Sequence, residues 1–156
     1  AVALSPKLII ADEPTANLDV SVQGEILNLL VRLQRELGLT YLIITHNLAV
    51  VRHVSDETAI MYMGRFVEMG PTAEIFSSPS HPYTAALIAS QPQPDPDLRR
   101  EDVPLLGEVP SLARRPPGCE FHTRCQYGQE KGRVERPGID QRTPSHFYRC
   151  HEPLAP

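Results

Sequence analysis

Two short runs of branched apolar residues, with an amphipathic helix between them, constrain this chain more than any other feature. The first run is Lys7-Leu8-Ile9-Ile10-Ala11, ending in Asp12-Glu13-Pro14; the second is Thr40-Tyr41-Leu42-Ile43-Ile44-Thr45, followed by His46. Apolar runs of this length suit strands buried on both faces of a parallel sheet. Between them Asp19 or Ser21 can cap a helix, and Val22, Ile26, Leu29, Leu30, Leu33 and Leu37 form one apolar stripe. Gly38 follows, where a left-handed residue ends helices well. Strand, helix, strand in this order is a βαβ unit with an expected right-handed crossover. The fold class is therefore α/β, with parallel core strands.

Further along, Asn47 caps a short helix ending at residue 54. Residues 58–63 read as a strand, Gly64-Arg65 as a turn, and 66–69 as a returning strand ended by Gly70-Pro71. Thr72 starts a helical turn that runs to residue 76. Pro82 stands in the first turn of another helix, over 83–90, where proline is tolerated. The composition then shifts: of 16 prolines, 5 lie at or before Pro82 and 11 at or after Pro92. The remainder reads as a mostly irregular, Pro-rich extension. A formal charge of −4 argues against a nucleic-acid binder, which needs a basic face for phosphates. No apolar run reaches the roughly 20 residues that span a bilayer.

Ligands of open α/β sheets bind beyond the carboxyl ends of the strands. Asp12 and Glu13 end the first run there, and His46 ends the second. Each alone reads as a solvated loop or strand-closing residue; together, with Pro14-Thr15 in register, they favour chemistry. Adjacent carboxylates at a buried strand end are costly unless a cation or a reacting water uses them. Successive strand residues point to opposite faces, so the two do different jobs. One can hold Mg²⁺, which takes only one or two carboxylates. The other can position or deprotonate an attacking water. A histidine at the neighbouring strand end can contact the phosphate being transferred.

The run Leu8-Ile9-Ile10-Ala11-Asp12-Glu13-Pro14-Thr15 resembles the Walker B segment of ABC ATPases. Ala16-Asn17-Leu18-Asp19 is similar to their D-loop, and Ile44-Thr45-His46 to their switch histidine. The resemblance implies Asp12 on Mg²⁺ through water, Glu13 polarising the hydrolytic water, and His46 reaching the γ-phosphate of ATP. It also implies Asp19 lying across a dimer from the partner's phosphate-binding loop. His81-Pro82-Tyr83-Thr84 with Ala85-Ala86-Leu87 is similar to the segment that marks oligopeptide, dipeptide and nickel importers. Gly107-Glu108-Val109-Pro110-Ser111-Leu112 and Pro116-Pro117-Gly118-Cys119 are similar to the tail of the same subunits. Residues 1–76 would then be the C-terminal part of a P-loop NTPase domain of the ABC type, and 77–156 the transporter's C-terminal extension. Implied partners are a second ATPase subunit, transmembrane permease subunits and, indirectly, a periplasmic or extracellular solute-binding protein. The implied location is peripheral, at the cytoplasmic face of the membrane. His81-Pro82-Tyr83 is, physically, a plain helix start.

The sequence departs from that pattern in two ways. It contains no Gly-x-x-x-x-Gly-Lys-Ser/Thr loop, no glutamine loop and no Leu-Ser-Gly-Gly-Gln signature. The backbone nest and lysine that hold nucleotide phosphates are thus missing from it. Together with an opening inside an apolar segment without Met, this reads as a fragment that is inactive alone. Second, the family's tail often carries four cysteines able to hold an iron–sulfur cluster. Cys119, Cys125 and Cys150 match three of the positions, and Gly132 stands at the remaining one. His122, His146 and His151 could complete a Zn²⁺ site, although a five-residue gap between Cys119 and Cys125 is not a standard zinc spacing. Free buried thiols are the equal alternative. Two other functional classes remain open: a DNA-repair or chromosome ATPase, and a non-enzymatic metal module in the tail.

Overall fold

The computed structural model describes residues 5–91 and 103–155. The opening apolar residues 1–4 and the proline-rich stretch from Pro92 to residue 102 lie outside the described residues. The chain forms two compact units, residues 1–55 and 56–156.

In the first unit, β1 (Leu8–Asp12) and β2 (Thr40–Ile44) are parallel and joined through helix α1 (Val20–Leu37). Leu8 pairs with Thr40 and Asp12 with Ile44, and Glu13 N–H extends the ladder to the Ile44 carbonyl at 2.8 Å. Local signals set the helix ends. The Asp19 carboxylate accepts from Val22 N–H at 3.0 Å, and Gly38 takes a left-handed conformation, φ 63°. Asn47 caps α2 (Leu48–Val54) by accepting from Ala49 and Val50 N–H.

Two expectations need correction. The strands are not buried on both faces within this unit: Leu8, Ile10, Leu42 and Ile44 are each half or more exposed, and exposure alternates along both strands. A two-stranded sheet with its crossover helix covers only one face. The buried helix face overlaps the anticipated stripe only in part: Ile26, Leu30 and Leu33 are partly buried. Leu27 is in the core with Leu39 and Val50, whereas Val22, Leu29 and Leu37 are exposed. The helix is apolar on two sides, and the 3.6-residue period alone does not say which side packs.

The second unit is built on an antiparallel sheet in the order β3-β4-β6-β5. Strands β3 (Glu57–Tyr62) and β4 (Arg65–Pro71) form a hairpin whose two loop residues, Met63 and Gly64, both have positive φ, the twist that two-residue hairpins favour. Two short helices follow, α3 (Thr72–Ser77) and α4 (Pro82–Ala89). Residues 103–129 are turns and irregular chain. After α5 (Glu130–Val134), β5 (Asp140–Thr143) and β6 (His146–Tyr148) close the sheet, with Glu68 paired to Tyr148 and Met69 to Phe147. The core holds Ile60, Tyr62, Val67, Ile75, Ala86, Ile88 and Phe121.

Candidate functional site

Glu13 follows the last residue of β1, and its backbone is left-handed, φ 46°. For a non-glycine residue that conformation costs on the order of 1–3 kcal/mol and persists only where the surroundings enforce it. Here they do. One carboxylate oxygen, Oε1, accepts from His46 N–H at 3.0 Å and lies 2.6 Å from His46 Nδ1. The other, Oε2, accepts from the Thr45 hydroxyl at 3.1 Å. The structure therefore brings Glu13 and His46 together, at the carboxyl ends of two parallel strands. The His46 ring hydrogen bond, ahead of the backbone and Thr45 bonds, holds the Glu13 carboxyl below its ordinary value; desolvation opposes it.

Asp12 lies outside that network. It is exposed, on the same face of β1 as Leu8 and Ile10. A lone exposed carboxylate at a strand end suits Mg²⁺, which keeps most of its waters. Asp19 caps α1 and is exposed. Thr45 escaped the sequence reading as a site residue. Its only signal was a hydroxyl beside the histidine.

In the second unit, His81 is more than a helix start. Its ring is buried against Phe121, with centroids 5.4 Å apart, and its Nδ1 accepts from Tyr83 N–H at 3.1 Å, capping α4. Tyr62, Tyr83 and Phe121 in turn stack on one another, edge-on or tilted. Burial drives the His81 pKa down to about 3, and the cap itself needs an unprotonated Nδ1. The folded ring therefore stays neutral while the unfolded one titrates near 6.5. Stability is full above that value and falls progressively as pH drops towards 3. Between pH 7 and pH 5 the His81 contribution is expected to fall by about 2 kcal/mol, at about 1.4 kcal/mol per pH unit below 6.5. Urea unfolding of the protein and of His81→Asn, which keeps a capping oxygen, checks this: the variant should show a shallower acid slope.

Glu68 organises the same region. Its side chain is fully buried and accepts from Ser80 N–H, from His81 N–H at 2.9 Å and from His146 Nε2 at 2.7 Å. The Glu74 carboxylate lies 3.6 Å from the other His146 ring nitrogen. His146, a candidate zinc ligand by sequence, thus has its Nε2 committed to the Glu68 carboxylate, while its buried Nδ1 has no hydrogen-bond partner.

Cys119, Cys125 and Cys150 are free thiols, and burial raises the pKa of each, Cys150 to about 12. A Cβ on Gly132 would stand 4.0 Å from Cys119 Cβ and 3.8 Å from His122 Cβ. Gly132 thus adjoins the first cysteine but carries no ligand, and a four-thiolate cluster does not fit these residues. Among the described residues, no group of three His, Cys, Asp or Glu side chains is arranged to hold a metal ion. Nor is any helix among them long and apolar enough to cross a membrane.

Residues 67–131 match the family model of the oligopeptide/dipeptide transporter, C-terminal region. A dipeptide transport ATP-binding protein of Haemophilus influenzae is 48% identical over 147 residues, which is 94% of this chain and 45% of that protein. An oligopeptide transport ATP-binding protein of Bacillus subtilis is 46% identical over 153 residues, 97% of this chain and 46% of that protein. A solved structure of cbiO1 from Clostridium perfringens, part of the ABC transporter complex cbiONQ, is 42% identical over 47% of this chain and 30% of its own, with a TM-score of 0.45. The chain spans a little under half the length of the two transport proteins. From its strand-end carboxylates to its cysteine-bearing tail, the chain is similar to dipeptide and oligopeptide transport ATP-binding proteins, and its residues 67–131 carry the C-terminal region of the oligopeptide/dipeptide transporter family.

Proposed function

We propose that this chain is part of an ATP-hydrolysing subunit that energises import of peptides, or of a related solute, through an ABC transporter. The observation that carries the proposal is the 2.6 Å contact between Glu13 and His46 at adjacent strand ends. Bound ATP with Mg²⁺ would supply the phosphoryl group and neutralise its charge; Asp12 is the residue to hold the metal through water. Glu13 orients the attacking water. Its lowered pKa keeps it ionised but makes it a weak base, so polarisation of the water outweighs outright proton abstraction. His46 uses Nδ1 on Glu13 and is otherwise largely exposed, which leaves Nε2 free to face a γ-phosphate. That nitrogen donates to phosphate only when the ring carries both protons. Asp19 faces a second ATPase subunit across a dimer. Transmembrane permease subunits and, indirectly, a periplasmic or extracellular solute-binding protein complete the complex, with this subunit peripheral at the cytoplasmic face of the membrane.

The sequence holds no Gly-x-x-x-x-Gly-Lys loop, whose backbone N–H groups and lysine cradle nucleotide phosphates. Calorimetry of the 156-residue protein with Mg·ATP is accordingly expected to show no micromolar binding. A micromolar affinity would mean that some other surface of this chain holds the nucleotide. The proposal itself is tested in a subunit of its relatives' length that ends in this chain, reconstituted with permease subunits. Peptide with its binding protein should stimulate ATP hydrolysis, and a complex that hydrolyses ATP without any response to peptides would overturn the peptide assignment.

A further inference from the structure

The Thr45 hydroxyl works in both directions. It donates to Glu13 Oε2 at 3.1 Å and accepts from Asn47 N–H at 3.1 Å. Asn47 in turn caps α2 through Ala49 and Val50 N–H. A continuous line of hydrogen bonds therefore runs from the start of α2, through Asn47 and Thr45, to the far oxygen of the Glu13 carboxylate. The near oxygen is held separately, by the His46 main chain and ring. Rotation of a glutamate carboxylate about its last bond is soft, with broad wells. A hold on Oε1 alone leaves that rotation free; a hold on both oxygens stops it.

We infer that Thr45 is a positioning residue for the hydrolytic step: its hydroxyl fixes the plane of the Glu13 carboxylate, and with it the direction in which Glu13 points the attacking water. This rests on the reading of Glu13 as the water-orienting group. Group positioning of this kind affects the reacting geometry and leaves nucleotide binding alone. The same bond contributes to holding the Glu13 pKa down, after the His46 bonds.

The test uses the full-length subunit in its complex, with Thr45→Val, Thr45→Ala, Thr45→Ser and Glu13→Gln measured side by side. Losing a hydrogen bond to a charged group should lower kcat by about tenfold in Thr45→Val and Thr45→Ala. The KM for ATP should change by less than about twofold, since the missing contact is not one to the nucleotide. Thr45→Ser keeps the hydroxyl and should recover most of the rate. Thr45→Val and Thr45→Ala at parental kcat, with Glu13→Gln inactive, would sink the role of Thr45 and leave the ATPase reading standing. Full activity in Glu13→Gln would sink both. A rate loss in Thr45→Ala that serine does not recover would show a merely structural hydroxyl. Should the valine variant melt at a much lower temperature than its parent, the alanine and serine variants decide.

Discussion

Glu13→Gln in the full-length subunit is expected to cut ATP turnover by roughly 10²–10⁴-fold, the usual contribution of a positioned acid–base group. Glutamine preserves length and one carbonyl oxygen, so Thr45 or His46 N–H keeps an acceptor, but the negative charge that polarises the water is gone. Nucleotide binding should survive, because no contact to ATP is assigned to Glu13. Single-turnover hydrolysis and equilibrium binding, measured on the same preparation, separate the two effects. Activity within a few-fold of the parent would remove Glu13 from the chemistry. His46→Ala is expected to be similarly slow, because it strips two roles at once: the ring hydrogen bond that holds Glu13, and the free Nε2. Residues in one hydrogen-bond network are not additive, so the double variant should lose far less than the product of the single losses.

Glu68→Ala is expected to be the most destabilising single change in the second unit. The fully buried carboxylate accepts from two backbone N–H groups and from His146. Alanine would leave the Ser80 and His81 N–H groups without that acceptor and His146 Nε2 with only the Ser80 hydroxyl at 3.4 Å, and breaking a buried pair in this way costs about 3–5 kcal/mol. A domain stable by only about 5–15 kcal/mol loses much of its margin. Urea unfolding, followed by tyrosine fluorescence from Tyr62 and Tyr83, reads the effect. A loss below about 1 kcal/mol would show that the donors find other acceptors.

The first unit was largely legible because its signals are local. Asp19, Gly38 and Asn47 each mark a helix end within a few residues of where they act, and all three do so in the structure. The packed helix face was legible only in part: Ile26, Leu30 and Leu33 of the apolar stripe turn partly inward, but Leu27, outside it, takes the core while Val22, Leu29 and Leu37 are exposed. Only the partner decides between them. Strands β5 and β6 gave no alternating pattern: Asp140-Gln141-Arg142-Thr143 is wholly polar, and its strand character comes from pairing with a neighbour. The site divides the same way. Asp12, Glu13 and His46 stood out by residue type and position. The left-handed turn at Glu13 and its bond to Thr45, 32 positions away, arise only when two strands lie side by side.

The pairing of β4 with β6 has a consequence for how the protein is made. Glu68 and His146 are 78 residues apart in sequence, yet they meet in the core of the second unit. Contacts of such separation form slowly, because the loop between them must close before any stabilisation is gained. On the ribosome the β3–β4 hairpin emerges long before its third strand is synthesised. Until then the β4 edge has unpaired backbone groups and the Glu68 carboxylate lacks its histidine. Emergence of β6 is therefore the event that allows the sheet to close, and truncation shortly before His146 would leave a nascent chain with an open edge for chaperones and proteases to find.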